Sequence, residues 1–201
     1  GGRIDPADRV LGGEDSAARV AAIRETLEET AIPVGLDPTP PKEVALELQR
    51  ALLADEPFAR LLEIHGLSLQ LQALTAMARW VPKFHATRRF DTLFFVARAP
   101  DVDWAPQVVE GECSGAFWIS AADTLERERQ GKATLIFPTR RNLERLALHG
   151  SFEAIRADAQ RHNIEPISPW VEEIEGENFI RIPDGIGYPV TRERLDGLWR
   201  G

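Results

Sequence analysis

The sequence predicts a mixed α/β or α+β fold. Three observations predict it: an amphipathic helical stretch near 16–30, two apolar extended stretches near 73–81 and 91–99, and helical patterns on both sides of them. The chain has 201 residues, enough for one substantial core or a core plus an inserted subdomain. An apolar content of 43% beside 28% charged residues is ordinary for a globular protein. The net charge of −8 argues against general nucleic-acid or acidic-membrane binding. The single cysteine, Cys113, excludes an intramolecular disulfide and suits a reducing, cytoplasmic setting. No apolar run approaches the ~20 residues that span a bilayer.

Residues 1–14, rich in Gly, Asp and Pro, read as a loop. Asp15 or Ser16 can cap the first helix, which runs to about Thr30 and is stopped by Pro33 with Gly35. Pro38, Pro40 and Pro41 mark a linker. Val44, Leu48, Ala51 and Leu52 recur at helical spacing over 42–54, and Phe58, Leu61 and Leu62 mark a second helix that Gly66 ends. The second extended stretch, rich in Phe and Val, is expected to be a central strand. Another strand is expected over 112–119. Helices follow over 120–131, 138–148 (apolar side Leu143, Leu146, Ala147) and 151–160, then strands near 167–174 and 179–182 and an irregular tail. His65, His85, His149 and His162 lack metal-ligand spacing.

The run Arg24-Glu25-Thr26-Leu27-Glu28-Glu29 is the most informative segment. At about 100° per residue, Glu25, Glu28 and Glu29 cluster on one helical face. Val20, Ile23, Leu27 and Ala31 fall on roughly the opposite side. Three like charges repel one another, and the second half of a helix already disfavours anions. A hard divalent cation such as Mg²⁺ supplies a reason for them, because it binds carboxylate oxygens. The plainer reading of the same spacing is a solvated charged face.

Gly1-Gly2-Arg3-Ile4-Asp5 followed by Arg24-Glu25-Thr26-Leu27-Glu28-Glu29 resembles the signature of the Nudix hydrolases. Arg79-Trp80-Val81-Pro82, then Arg88-Arg89-Phe90-Asp91-Thr92, and Glu112 six residues before Trp118, are similar to one branch of that family. The branch includes proteins like the peroxisomal coenzyme A diphosphatases and their bacterial relatives. Gly185, Tyr188 and Pro189 look like its tail, so the resemblance covers nearly the whole chain. The spacing from Gly2 to Arg24 exceeds that of the short signature, Ala31 stands where the family has glycine, Thr26 replaces an aliphatic residue, and Gly115 leaves one acidic role vacant or taken by Glu110.

The resemblance implies a Nudix-like α/β/α sandwich: a single domain over 1–201 with a mixed sheet, a helical insertion at about 40–72, and a preceding strand segment that this chain lacks. The insertion either shapes a wall of the substrate cleft or extends the core. The resemblance also implies Mg²⁺ or Mn²⁺ as cofactor, held by Glu25, Glu28 and Glu29. Arg24 would orient the glutamates, and Gly2 would begin the motif. Glu25 or Glu112 would act as general base, the alternative for Glu112 being a surface glutamate on an edge strand. Arg88 or Arg89 would contact substrate phosphate, since arginine recognises phosphate bidentately. Either could equally be a surface ion pair, Arg89 with Asp91. Tyr188 would stack on a base or, alternatively, pack the tail onto the domain.

The expected function is metal-dependent hydrolysis of the pyrophosphate bond in a nucleoside diphosphate linked to another moiety, coenzyme A or an acyl-coenzyme A being the leading specific case. The alternative is a non-catalytic Nudix-fold module that binds a nucleotide or a partner. The expected partner is a small-molecule nucleotide conjugate, with no nucleic acid and no membrane, and a homodimer fits base rates.

Overall fold

In a computed structural model that describes residues 3–14, 16–82, 91–108 and 115–195, the chain packs as two compact units. The first comprises Gly1–Leu74 and Ala97–Trp118, the second Thr75–Val96 and Ile119–Gly201.

The first unit opens with helix α1 (Pro6–Gly12), where a loop was expected. Proline at the first helical position needs no N–H there. Asp8 Oδ2 accepts the Asp5 N–H at 2.8 Å, tying the entry of the helix to its first turn. These local bonds outweigh the loop-like composition. Helix α2 (Ala17–Thr30) follows, with Ser16 at its N-cap position. Val20, Ile23, Leu27 and Ala31 are each fully buried, as the apolar stripe requires. Ala31 ends the helix in the left-handed conformation (φ 56°), its N–H on Leu27 O at 2.8 Å. An alanine therefore performs the glycine's geometry, at a cost of about 1 kcal/mol.

Strand β1 (Leu36–Asp37), helices α3 (Lys42–Leu53) and α4 (Phe58–Ile64), strand β2 (Ser68–Leu69) and a 3-10 turn (Leu71–Ala73) complete the regular elements of this unit among the described residues. β1 and β2 pair antiparallel. α3 packs on α2, so the insertion extends the core of this unit. Gly35, between α2 and β1, has φ +70°, and a Cβ there would sit 2.8 Å from Ile23 Cδ1. Gly35→Ala is expected to cost about 2 kcal/mol through backbone strain and overpacking. The shift of the urea midpoint measures it; an unchanged midpoint would show that the turn relaxes freely.

The second unit holds β3 (Thr75–Trp80), β4 (Thr92–Val96), helices α5 (Ala121–Arg129), α6 (Phe137–Ala147) and α7 (Phe152–Arg161), and strands β5 (Pro166–Ile167), β6 (Trp170–Ile174), β7 (Glu177–Arg181) and β8 (Arg192–Arg194). One sheet has the order β4-β3-β5, antiparallel between β3 and β4 and parallel between β3 and β5, hence mixed. Among the described residues β3 is its middle strand, and the Phe-rich β4, expected to be central, pairs with β3 alone. Aromatic content reports which faces are covered, not place in a ladder. The second sheet, β6-β7-β8, is antiparallel and takes in part of the expected tail. Residues 115–119, expected as strand, join no ladder, and Phe117 and Trp118 are exposed. Ser120 and Ser151 cap α5 and α7 as their sequence positions suggest.

The core of this unit gathers Ala78, Trp80, Phe137, Ile167, Ile180, Ile182 and Tyr188. α6 differs from the apolar-side expectation: its buried residues are Phe137, Arg141, Asn142 and Arg145, while Ala147 is exposed. The two buried arginines are each ion-paired, although Arg141 Nε and Nη1 find no partner among the described residues. Arg141 Nη2 donates to Glu144 and Glu193, and Arg145 Nε donates to Asp158 Oδ2 at 2.7 Å.

Burial would raise the Asp158 pKa, but the hydrogen bond and charge of Arg145, with His149 and His162 nearby, hold it below the ordinary range. A carboxylate lowered in the folded state stabilises above its unfolded pKa of about 3.9, and that contribution is lost as pH falls through the folded value. Asp158→Asn is therefore expected to cost about 2 kcal/mol near neutral pH. In urea unfolding the gap from wild type should narrow as pH falls below about 4. A gap constant with pH would show that the charge contributes nothing. No helix among the described residues is long and apolar enough to cross a membrane.

Candidate functional site

Arg24 organises the first unit's polar centre. It sits on the middle of α2, 9% exposed, and reaches α1. Its Nε meets Asp8 Oδ1 at 3.1 Å and its Nη2 meets Asp8 Oδ2 at 3.2 Å, a bidentate pair. The same Nη2 donates to Arg3 O at 3.0 Å and lies 3.4 Å from Asp5 Oδ2. Nη1 meets Glu25 Oε1 at 2.8 Å and Glu28 Oε2 at 3.2 Å. Burial alone would lower the Arg24 pKa; hydrogen bonding and charge from Asp8, and charge from Glu25, outweigh it and raise the pKa. Arg24 is therefore a fixed cation.

Asp8 is the residue that sequence reading missed. It is 2% exposed, and its carboxylate is charge-balanced by Arg24. A buried carboxylate is tolerable only when paired and hydrogen-bonded. The available signal was Pro6 with acids at 5 and 8, a helix-start pattern hidden in a segment rich in loop residues.

The three expected ligands share one helix, and Glu25, Glu28 and Glu29 are all partly exposed. Among the described residues, the Arg24 guanidinium is paired with Asp5, Asp8, Glu25 and Glu28. Carboxylate oxygens are the hard donors that a divalent cation takes. Among the described residues, no three His, Cys, Asp or Glu side chains converge as a ready metal cage. Glu25 and Glu28 are turned toward Arg24 instead.

Gly2, Arg88, Arg89 and Glu112 lie outside the described residues. Asp91, expected as an Arg89 partner, is held by Arg79, whose Nε lies 2.7 Å from Asp91 Oδ1. Tyr188 is found packing the tail. It is 7% exposed, lies edge-to-face on Trp80, and donates its hydroxyl to Asn142 Oδ1 at 2.8 Å. The cleft beside it, of about 40 Å³ and lined also by Arg145 and His162, has room for a water or two and not for a nucleotide.

No known family model matches the chain, and no curated protein does. Among solved structures, the chain is similar to a NUDIX hydrolase from Alicyclobacillus acidocaldarius. The two are 24% identical over 78% of each chain, with a TM-score of 0.62. The fold is that of a Nudix hydrolase. The α/β class expected from the sequence is thus the one found.

Proposed function

We propose that the protein is a Nudix-type pyrophosphohydrolase acting on a nucleoside diphosphate linked to another moiety, with coenzyme A or an acyl-coenzyme A as the leading substrate. The observation that carries this reading is Arg24, buried on Asp8 and holding Glu25 and Glu28 on one face of α2. Three carboxylates in the second half of one helix repel one another and oppose its dipole, a cost that a bound divalent ion would offset.

Glu25, Glu28 and Glu29 would hold Mg²⁺ or Mn²⁺. Such an ion, when bound, offsets phosphate charge and lowers the pKa of bound water. Arg24 orients Glu25 and Glu28 by direct ion pairs, and Asp8 fixes Arg24 from behind. Glu25 or Glu112 accepts a proton from the attacking water. Arg88 or Arg89 contacts the substrate phosphates.

The test is product release from coenzyme A, acetyl-coenzyme A, ADP-ribose, NADH and diadenosine polyphosphates, with Mg²⁺ or Mn²⁺ and phosphatase coupling. Cleavage of one class is the expected result and names the substrate. The pairing of Glu25 and Glu28 with Arg24 supports a second reading, a nucleotide-binding module without turnover. Binding of a conjugate with no cleavage under either metal would select it.

A further inference from the structure

Gln49 joins the helical insertion to the glutamate helix. On α3 the buried residues are Ala45, Leu48, Leu52 and Gln49, the last 5% exposed. A glutamine on an otherwise apolar face is costly unless its amide is satisfied. Its Nε2 donates to two separate backbone carbonyls, Glu28 O at 3.0 Å and Gln107 O at 2.9 Å.

Glu28 O lies in the last turn of α2, where carbonyls lose their intrahelical partners. The N–H that would reach it, on Ile32, turns to Thr30 Oγ1 at 3.2 Å. Two neighbouring carbonyls are closed by the stretch after residue 100. Gln107 N–H donates to Thr30 O at 2.8 Å, and Trp104 Nε1 donates to Ala31 O at 3.4 Å. The end of α2 that carries Glu28 and Glu29 is therefore finished by tertiary donors, all within one compact unit. Those donors also offset the negative end of the helix dipole beside two carboxylates.

We infer that Gln49 is a positioning residue for the cation-binding carboxylates: by fixing the last turn of α2, it sets where Glu28 and Glu29 present their oxygens. The inference rests on the reading of α2 as a cation-binding helix. It gives the insertion a function that core extension alone does not.

The test measures Mn²⁺ affinity by calorimetry on the whole chain without substrate, for wild type, Glu29→Gln, Gln49→Met and Gln49→Glu. Methionine keeps the volume and removes both donors; glutamate keeps the outline and replaces donors by acceptors. Circular dichroism and thermal midpoints report folding, and kcat and KM are measured on the best substrate. Both Gln49 variants are expected to bind Mn²⁺ about tenfold more weakly, as loss of an outer-shell partner does. In both, kcat should fall while the substrate KM is unchanged. If Gln49 only packs, the midpoint falls while Mn²⁺ affinity and kcat of the folded protein stay at wild-type values, and the inference is overturned. Trp104→Phe removes a donor from the same helix end with little change in packing. Should the Gln49 variants not fold, it must show a smaller loss of Mn²⁺ affinity, and an unchanged affinity overturns the inference. Wild type that binds no Mn²⁺ through Glu29 overturns the underlying reading, and this is seen before any Gln49 variant is compared.

Discussion

Glu29→Gln is expected to lower turnover of the best substrate by about 10²-fold or more while leaving the fold intact. Changes one shell further from a metal already cost about 10- to 100-fold, so loss of a ligand should cost at least that much. The amide keeps the size of the side chain and removes the anionic oxygen that a hard cation requires. Stability should change by less than about 1 kcal/mol, because Glu29 is partly exposed and exposed ion pairs contribute little. The paired measurement is steady-state turnover with Mn²⁺ beside a urea unfolding curve. Full activity in the variant would sink the assignment of α2 as the metal helix. Loss of activity together with loss of the fold would shift the role of Glu29 to structure.

Asp8→Ala is expected to give the largest loss of stability, about 3 kcal/mol. Removing one member of a buried ion pair strands the other, and such changes cost roughly 3–5 kcal/mol. Glu25 and Glu28 still face Arg24 and keep the cost at the low end of that range. For a chain of this size the thermal midpoint should fall by about 10 °C. Asp8→Asn, which keeps an acceptor for the guanidinium, should lose less. Activity should fall in both, because Arg24 would lose the buried carboxylate that anchors it and keep only Asp5, Arg3 O and the glutamates it is meant to hold. A loss below about 0.5 kcal/mol in Asp8→Ala would show that the glutamates alone anchor Arg24.

Much of the first unit is legible in the sequence. The apolar stripe of α2 predicted which residues are buried, because a helix with one covered face has a fixed period. The same period set the three glutamates together. The limits of α3, α4, α5 and α7 followed from proline, glycine and serine at their ends, since these residues act through local backbone geometry and local hydrogen bonds. α1 was missed because its composition resembles a loop and its capping bonds had to outweigh that. Among the described residues β4 pairs with β3 alone, because ladder order depends on strands distant in sequence and aromatic content does not encode it.

The sequence by itself determined the elements whose causes are local: the face of α2, its carboxylate cluster and the α/β class. Only the tertiary structure decided which partners satisfy buried charge. Arg24 finds Asp8 sixteen residues away, Arg145 finds Asp158, and the amide of Gln49 bridges carbonyls of α2 and of the stretch after residue 100. Tyr188 could have faced a base or a core, and its hydroxyl meets Asn142 inside the second unit. Apolar periodicity records which side of an element avoids water. Which charged or polar groups can join them there depends on long-range pairing that desolvation makes obligatory and that no local pattern encodes.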